Sequence, residues 1–289
     1  MSHRLSLRFQ YDGTVMNPKT LLEEYDILPR KSLGQNFLHD PNMLDKIVSI
    51  ADLTKNDLVL EVGPGTGLLT ERLAQASKEV TSIEVDERLQ PVLAEIVANH
   101  PNLSIRYQDI LTLDINKLYA GLAYIVVANL PYYITSAIIK HLLESDHPPT
   151  RLVLTMQMEV AERMIAKPDD MSILSVSVQF FGRPQIAARL KPSVFWPRPE
   201  VDSAVVRIDT YDKPQVDVPD TKTFFRVVRA GFGQKRKQLK NALSSGLALD
   251  ADTANALFDA AKIDSRRRAE TLSLEDWATL TRAYISIKP

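Results

Sequence analysis

The chain has 289 residues, 45% hydrophobic and 25% charged, a mix that fits a soluble globular protein with one large domain and a smaller one. It contains no cysteine, which excludes disulfides, thiolate metal sites and a Cys nucleophile, and its five His residues show no metal-ligand spacing, so no metal is expected. A net charge of −1 gives no electrostatic case for a polyanionic partner, and no apolar run nears the roughly 18 residues of a membrane span or forms a signal peptide behind Met1, so a cytoplasmic location is expected.

Residues 1–30 read as an irregular arm with a short helix through Leu21, Leu22 and Tyr25. Asp40-Pro41 predicts a helix start, because Asp can cap and Pro suits the first helical position; Met43, Leu44, Ile47, Val48 and Ala51 follow at helical spacing. Short apolar strands then alternate with helical patterns. Leu58–Val62 is a strand followed by a Gly-rich turn and the helix Leu68–Ala76; Val80–Val85 is followed by the helix Leu89–Asn99; Leu103–Tyr107 is a third strand. Tyr124–Ala128 precedes the helix Ser136–Glu144, and Leu152–Met156 precedes Glu159–Ala166. Such alternation predicts a parallel sheet with helices on both faces. Ile173–Phe181, Gln185–Leu190 and Val201–Ile208 read as strands that close the sheet with antiparallel pairing. Asp212 to Asp220 reads as a linker, and Phe224–Phe232, Gln234–Leu247, Ala251–Ala261 and Leu274–Tyr284 as helices. The expected division is a catalytic domain over 1–211, including the arm, and a small all-α domain over 212–289.

In open parallel sheets ligands bind at the carboxyl ends of the strands. After the first strand comes Gly63-Pro64-Gly65-Thr66-Gly67. Glycines there allow a sharp turn and close approach of a ligand. The nicotinamide fingerprint is not met, because its third Gly falls on Leu68; the G-x-G-x-G spacing resembles the first motif of class I methyltransferases. Glu84, at the end of the second strand, is placed to accept hydrogen bonds from a ribose diol. Asp109, after the third, can accept from an exocyclic adenine amine. After the fourth comes Asn129-Leu130-Pro131-Tyr132, the most specific signal. The Asn side-chain oxygen and the Leu130 carbonyl can each accept a proton from a target –NH2, which favours a pyramidal nitrogen with its lone pair free. Pro131 aims these acceptors, and Tyr132 offers a stacking face.

With these motifs, the chain resembles the ribosomal RNA adenine dimethyltransferases, in particular the bacterial enzymes that dimethylate two adjacent adenines near the 3′ end of 16S rRNA. The resemblance runs from about Leu33 to Leu274. It takes in Leu33–Leu38, the Gly63–Gly67 loop, Glu84, Gln108-Asp109, Asn129–Tyr132, Gln157–Ala161, Pro197–Val206, Phe232–Lys237 and Arg268–Glu270. It implies a class I (Rossmann-like) α/β fold with a mostly parallel seven-stranded sheet and a C-terminal all-α domain. It implies S-adenosyl-L-methionine as cofactor, held by Asn36 and Leu38 from the arm, by Gly63 and Gly65, by Glu84 at the ribose and by Asp109 at the adenine ring. Asn129 then serves cofactor and target together, and Phe195 sandwiches the flipped base against Tyr132. Tyr133 and Glu200 depart from the residues usual in close relatives, at the rim of the expected target pocket.

The basic stretch Arg226, Arg229, Lys235, Arg236, Lys237, Lys240 and a second cluster, Arg266–Arg268, stand out against the neutral average. On a helical reading Arg229, Arg236, Lys237 and Lys240 share a face, which with Lys235 would contact RNA phosphates of the small-subunit precursor; a monomer is the default. Two rivals remain. One is the sister group that methylates an adenine of 23S rRNA and confers macrolide resistance. The other is a non-catalytic assembly factor that kept the fold.

Overall fold

A computed structural model of the chain describes residues 17–234 and 236–287. Lys235 and the first part of the arm lie outside the described residues. Asn17 caps α1 (Pro18–Glu24) by accepting from Lys19 N at 2.9 Å. The arm continues into β1 (Phe37–Leu38), which pairs antiparallel with β8 (Phe195–Trp196). α2 (Pro41–Ala51) starts as the sequence predicts, with Asp40 accepting from Met43 N at 3.0 Å and Pro41 in the first turn.

β2 (Leu58–Val62), β3 (Glu79–Glu84), β4 (Leu103–Tyr107), β5 (Tyr124–Asn129) and β6 (Arg151–Gln157) pair in parallel. The connecting helices are α3 (Leu68–Ala76), α4 (Gln90–Asn99), α5 (Ile115–Tyr119) and α6 (Thr135–Leu143), and α7 (Met158–Met164) follows β6. β7 (Gly182–Leu190) and β9 (Ser203–Thr210) then complete a seven-stranded sheet of order β4-β3-β2-β5-β6-β9-β7, with β9 antiparallel to both β6 and β7. The strand order reverses between β2 and β5, where a ligand crevice is expected at the carboxyl ends.

β2, β3, β5 and β6 each feed two cores by alternation, whereas β4 feeds one. Leu60 and Val62 of β2, Val126 and Ala128 of β5, and Leu152 and Leu154 of β6 face one core with α6 and α7. Val59, Ile125, Val127 and Val153 face the other, with α2, α3, α4 and the arm residues Leu21, Leu22 and Ile27. Burial on both faces explains why these strands read as continuous apolar runs.

α8 (Ile173–Phe181) corrects the sequence reading, which makes this segment a strand. Val176, Val178 and Phe180 alternate with Ser175, Ser177 and Gln179, but the alternation belongs to a helix buried on two sides. Leu174 and Val178 pack into the core beneath the sheet, whereas Val176 and Phe180 pack into a third core. Ser172 and Ser175 fix its start by a reciprocal capping box. The third core belongs mainly to α9 (Thr221–Phe232), α10 (Leu239–Leu247), α11 (Ala251–Ala261) and α12 (Leu274–Ile287). Phe180 stacks on Phe224 at 4.6 Å, so α8 is a shared wall between the sheet layer and the helical bundle. A second correction concerns 234–247: the helix begins only at Leu239, and Arg236 and Lys237 lie in a turn. The basic residues therefore do not share one helical face.

Candidate active site

The carboxyl ends of β2, β3 and β5, with the arm folded across them, enclose a cavity of about 250 Å³. Its wall brings together Asn36, Leu38, Gly63, Gly65, Glu84, Asp109, Asn129, Leu130, Pro131 and Tyr132, which the sequence places far apart. The local reasons are backbone ones. The loop after β2 turns through left-handed residues, with Gly63 at φ +73. A Cβ added to Gly63 would meet only the Asn129 carbonyl oxygen, in ordinary contact at 3.8 Å. Gly67, at φ +82, instead lies where a Cβ would meet Ile96 Cδ1 at 2.0 Å. The first glycine thus opens room for a ligand, and the last lets α3 pack on α4.

Glu84 ends β3 and is 5% exposed. Its Oε1 accepts from Val85 N at 2.9 Å and Asp86 N at 2.8 Å, and its Oε2 accepts from Gly65 N at 3.3 Å. Burial pushes its carboxyl above the ordinary value, against the pull of these bonds. Oε1 already accepts two N–H groups, so Oε2 is the oxygen that keeps acceptor capacity toward the cavity. Asp109 is exposed at the rim, with Oδ1 accepting from Leu111 N at 2.9 Å.

Asn129 closes β5. Its Nδ2 donates to the Asn36 carbonyl at 2.9 Å, so the amide oxygen is the atom left to accept. Leu130 is held by its N–H to the Thr155 carbonyl at 3.1 Å, and its side chain is buried. Tyr132 shares a hydrogen bond with Ser203 Oγ at 2.7 Å, which ties the loop to β9, and burial pushes its phenol up. Tyr133 is 60% exposed and its ring lies against Gly34 of the arm, so this departure forms part of the mouth. Glu200 is exposed and does not line the cavity.

Phe195 requires correction. It is 1% exposed, pairs with Leu38 across β1 and β8, and belongs to the core shared with α2 and the arm. It presents no face to the cavity, so it does not sandwich a base against Tyr132 in this arrangement. Sequence reasoning also passed over Val85 and Leu111, which are 55% and 37% exposed and line the cavity. The available signal was position, since each follows closely on a carboxylate at a strand end.

Of the basic residues, Arg229, Arg236 and Lys237 are exposed, and Lys240 is half-buried with its Nζ bonded to Asn255. Backbone bonds from Leu239 N to Arg267 O at 2.7 Å and from Lys240 N to Ser265 O at 3.1 Å bring the two basic clusters side by side. Arg266, Arg267 and Arg268 are paired with Asp264, Asp276 and Glu270. Among the described residues Arg236 and Lys237 have no ion pair. No group of His, Asp or Glu among the described residues is arranged to hold a metal, and no described helix is long and apolar enough to cross a membrane.

Comparison with known proteins gives a consistent result. A sequence profile of the family described as Ribosomal RNA adenine dimethylase matches residues 28–285. The Ribosomal RNA small subunit methyltransferase A of Alkaliphilus metalliredigens is 42% identical over 271 residues, covering 91% of this chain and 94% of that protein. The protein of the same name from Bacillus mycoides is 41% identical over 283 residues, covering 94% and 97%. Among solved structures, the 23S rRNA methyltransferase ErmE matches with a TM-score of 0.67 and 27% identity, over 86% of this chain and 100% of that one. A dimethyladenosine transferase from Plasmodium falciparum shares the fold, with a TM-score of 0.72, 24% identity, and coverage of 87% and 98%. The sheet and its flanking helices are those of a class I methyltransferase. From its profile match and its identity over nearly the whole length of its relatives, the chain belongs to the ribosomal RNA adenine dimethylase family.

Proposed function

We propose that the protein dimethylates the N6 amines of two adjacent adenines near the 3′ end of 16S rRNA, using S-adenosyl-L-methionine, on a precursor of the small ribosomal subunit. The observation that carries this reading is the Asn129 amide. With its nitrogen committed to the Asn36 carbonyl, its oxygen and the adjacent Leu130 carbonyl are the acceptors offered to an incoming –NH2.

The residues fit the cofactor. The space in front of Gly63 is that of a cradle a Cβ would fill, and Glu84 is a buried carboxylate already set by three backbone N–H groups. Glu84 would hold the ribose, Asp109 the adenine amine, and Gly63, Gly65, Asn36 and Leu38 the remainder, with Val85 and Leu111 offering apolar surface to the ring. Bound there, the cofactor supplies an electrophilic methyl group on a sulfonium and leaves as S-adenosylhomocysteine. Asn129 Oδ1 and the Leu130 carbonyl would accept from the N–H groups of the target, two in the first transfer and one in the second, and direct the nitrogen lone pair toward that methyl. The methyl so supplied would pass to that nitrogen, and the proton the amine then sheds would go to water, so the residues of the site need supply no strong base. Positioning supplies most of the acceleration. Tyr132 stacks on the flipped base, worth about 1–3 kcal/mol.

The small-subunit target is supported by 41–42% identity to the small-subunit relatives, against 27% to ErmE. The experiment is to incubate the full chain and labelled cofactor with undermethylated small subunits and to map the label by mass. Two dimethylated adjacent adenines near the 3′ end of 16S rRNA are expected. Label on 23S rRNA alone would favour the sister activity, and a chain that neither transfers label nor is thermally stabilised by S-adenosylmethionine would be a binding factor.

A further inference from the structure

Asp86 lies two residues beyond the proposed ribose acceptor, is 1% exposed, and is not among the residues that line the cavity. Both of its carboxylate oxygens are nevertheless fully engaged. Arg88 forks onto them, with Nε to Oδ1 at 2.8 Å and Nη2 to Oδ2 at 2.6 Å. Gln35 Nε2 donates to Oδ2 at 2.8 Å, and Arg30 stands 4.0 Å from Oδ1. The other ends of these groups reach the arm again: Arg88 Nη1 donates to the Leu28 carbonyl at 3.1 Å, and Gln35 Oε1 accepts from Arg30 N at 2.7 Å. Burial pushes the Asp86 carboxyl up, but the bonds from Arg88 and Gln35 outweigh it and hold the carboxyl below the usual range. Leu28, Arg30 and Gln35 are thus tied to one turn on the sheet.

Two continuations make this tie more than a surface staple. Asp86 N donates to Glu84 Oε1 at 2.8 Å, so the turn that grips the arm also sets the ribose acceptor. Asn36, next to Gln35, receives the Asn129 amide on its carbonyl at 2.9 Å. The arm segment Leu33–Leu38 is a wall of the cavity, yet its regular structure is one short 3-10 turn and the two residues of β1. A wall with so little secondary structure takes its order from its side-chain ties.

We propose that Asp86, gripped by Arg88, is a positioning residue that holds the arm closed over the cofactor and so sets cofactor affinity from outside the cavity. The proposal rests on the S-adenosylmethionine reading above. Losing the fork leaves a buried carboxylate short of partners, and the arm opens to let water reach it. Cofactor binding must then close the arm again at its own expense.

The test uses the full chain with Arg88→Gln and Arg88→Lys. Calorimetry measures the S-adenosylmethionine Kd, subunit methylation at saturating cofactor measures kcat, and limited proteolysis follows cleavage between residues 28 and 36. Arg88→Gln should raise Kd about tenfold, from the loss of charged hydrogen bonds, while kcat changes far less. Arm cleavage should accelerate without cofactor and slow again when cofactor saturates. Arg88→Lys, which keeps the charge but not the fork, should fall between the two. An unchanged Kd in Arg88→Gln, or a kcat loss at constant Kd, overturns the clamp while leaving the methyltransferase reading intact. A wild-type chain that binds no S-adenosylmethionine overturns that reading, and the clamp's role with it.

Discussion

Glu61 sits in β2 two residues before the glycine loop, 1% exposed, with Oε2 accepting from Ser82 Oγ at 2.6 Å and Oε1 without a hydrogen-bond partner among the described residues. Burial pushes its carboxyl up from 4.5 to about 7, and the Ser82 bond only partly opposes this. The folded state therefore binds a proton that the unfolded state has released. Its stabilising effect is complete below about pH 4.5 and is lost as pH rises to about 7. A shift of this size corresponds to at most about 3 kcal/mol. Glu61→Gln keeps the shape and the Ser82 contact but carries no charge at any pH. It is expected to stabilise the fold by up to about 3 kcal/mol at pH 8 and by little at pH 4, measured by urea unfolding at both. Equal effects at the two pH values would contradict the assignment of the buried proton.

At the scale of elements, the loop after β2 separates ligand space from packing space. Gly67→Ala combines left-handed backbone with a Cβ driven into Ile96, and is expected to cost about 2–4 kcal/mol of stability. Gly63→Ala meets no atom closer than 3.8 Å, so its cost is mainly backbone strain, about 1–2 kcal/mol, but its methyl would stand in the space proposed for the cofactor. Thermal melts with and without S-adenosylmethionine should show Gly63→Ala losing the ligand-induced rise and Gly67→Ala keeping it at a lower Tm. The reverse pattern would misplace the cofactor. The parallel strands and the helices α3, α4, α6 and α7 were legible in the sequence because short apolar runs alternate there with helical patterns, whereas α5 was not read. Leu68–Ala76 and Ala251–Ala261 match their predicted bounds. α8 was not legible, because a helix wedged between two cores shows period-2 apolarity. Nor was β1 pairing with β8, two residues each, since so short a pairing has no periodicity to read. That pairing buries Phe195, which the family resemblance made a base-stacking candidate. The cavity-lining carboxylates and Asn129 were legible because their place at strand ends follows from topology. The Asp86 clamp was not, because its partners are distant in sequence.

Over the whole molecule, the near-neutral charge conceals a local arrangement. The second basic cluster is neutralised by its own acids, whereas Arg236 and Lys237 project from the turn between α9 and α10 without ion pairs among the described residues. If these two contact phosphates, Arg236→Glu with Lys237→Glu should weaken small-subunit binding and flatten its dependence on log salt by about 1.5 to 2, leaving S-adenosylmethionine affinity unchanged. A parallel loss of both affinities would mean that the turn supports the fold rather than the RNA. The bundle that carries this turn meets the sheet through α8, whose Phe180 joins Phe224 and Phe225. A substrate held by the bundle, as proposed, would reach the mouth formed by Tyr132 and Tyr133 from a bundle packed against the sheet layer through these rings.

The proposed transfer turns on the Asn129 amide, and the most direct measurement is single-turnover methylation of small subunits by Asn129→Ala beside the unaltered chain, with cofactor and subunit binding measured in parallel. Transfer is expected to fall by at least about 100-fold, the scale of losing an oriented acceptor at a reacting group, while the fold and subunit binding persist. Transfer at the unaltered rate would contradict the role given to that amide and, with it, the mechanism.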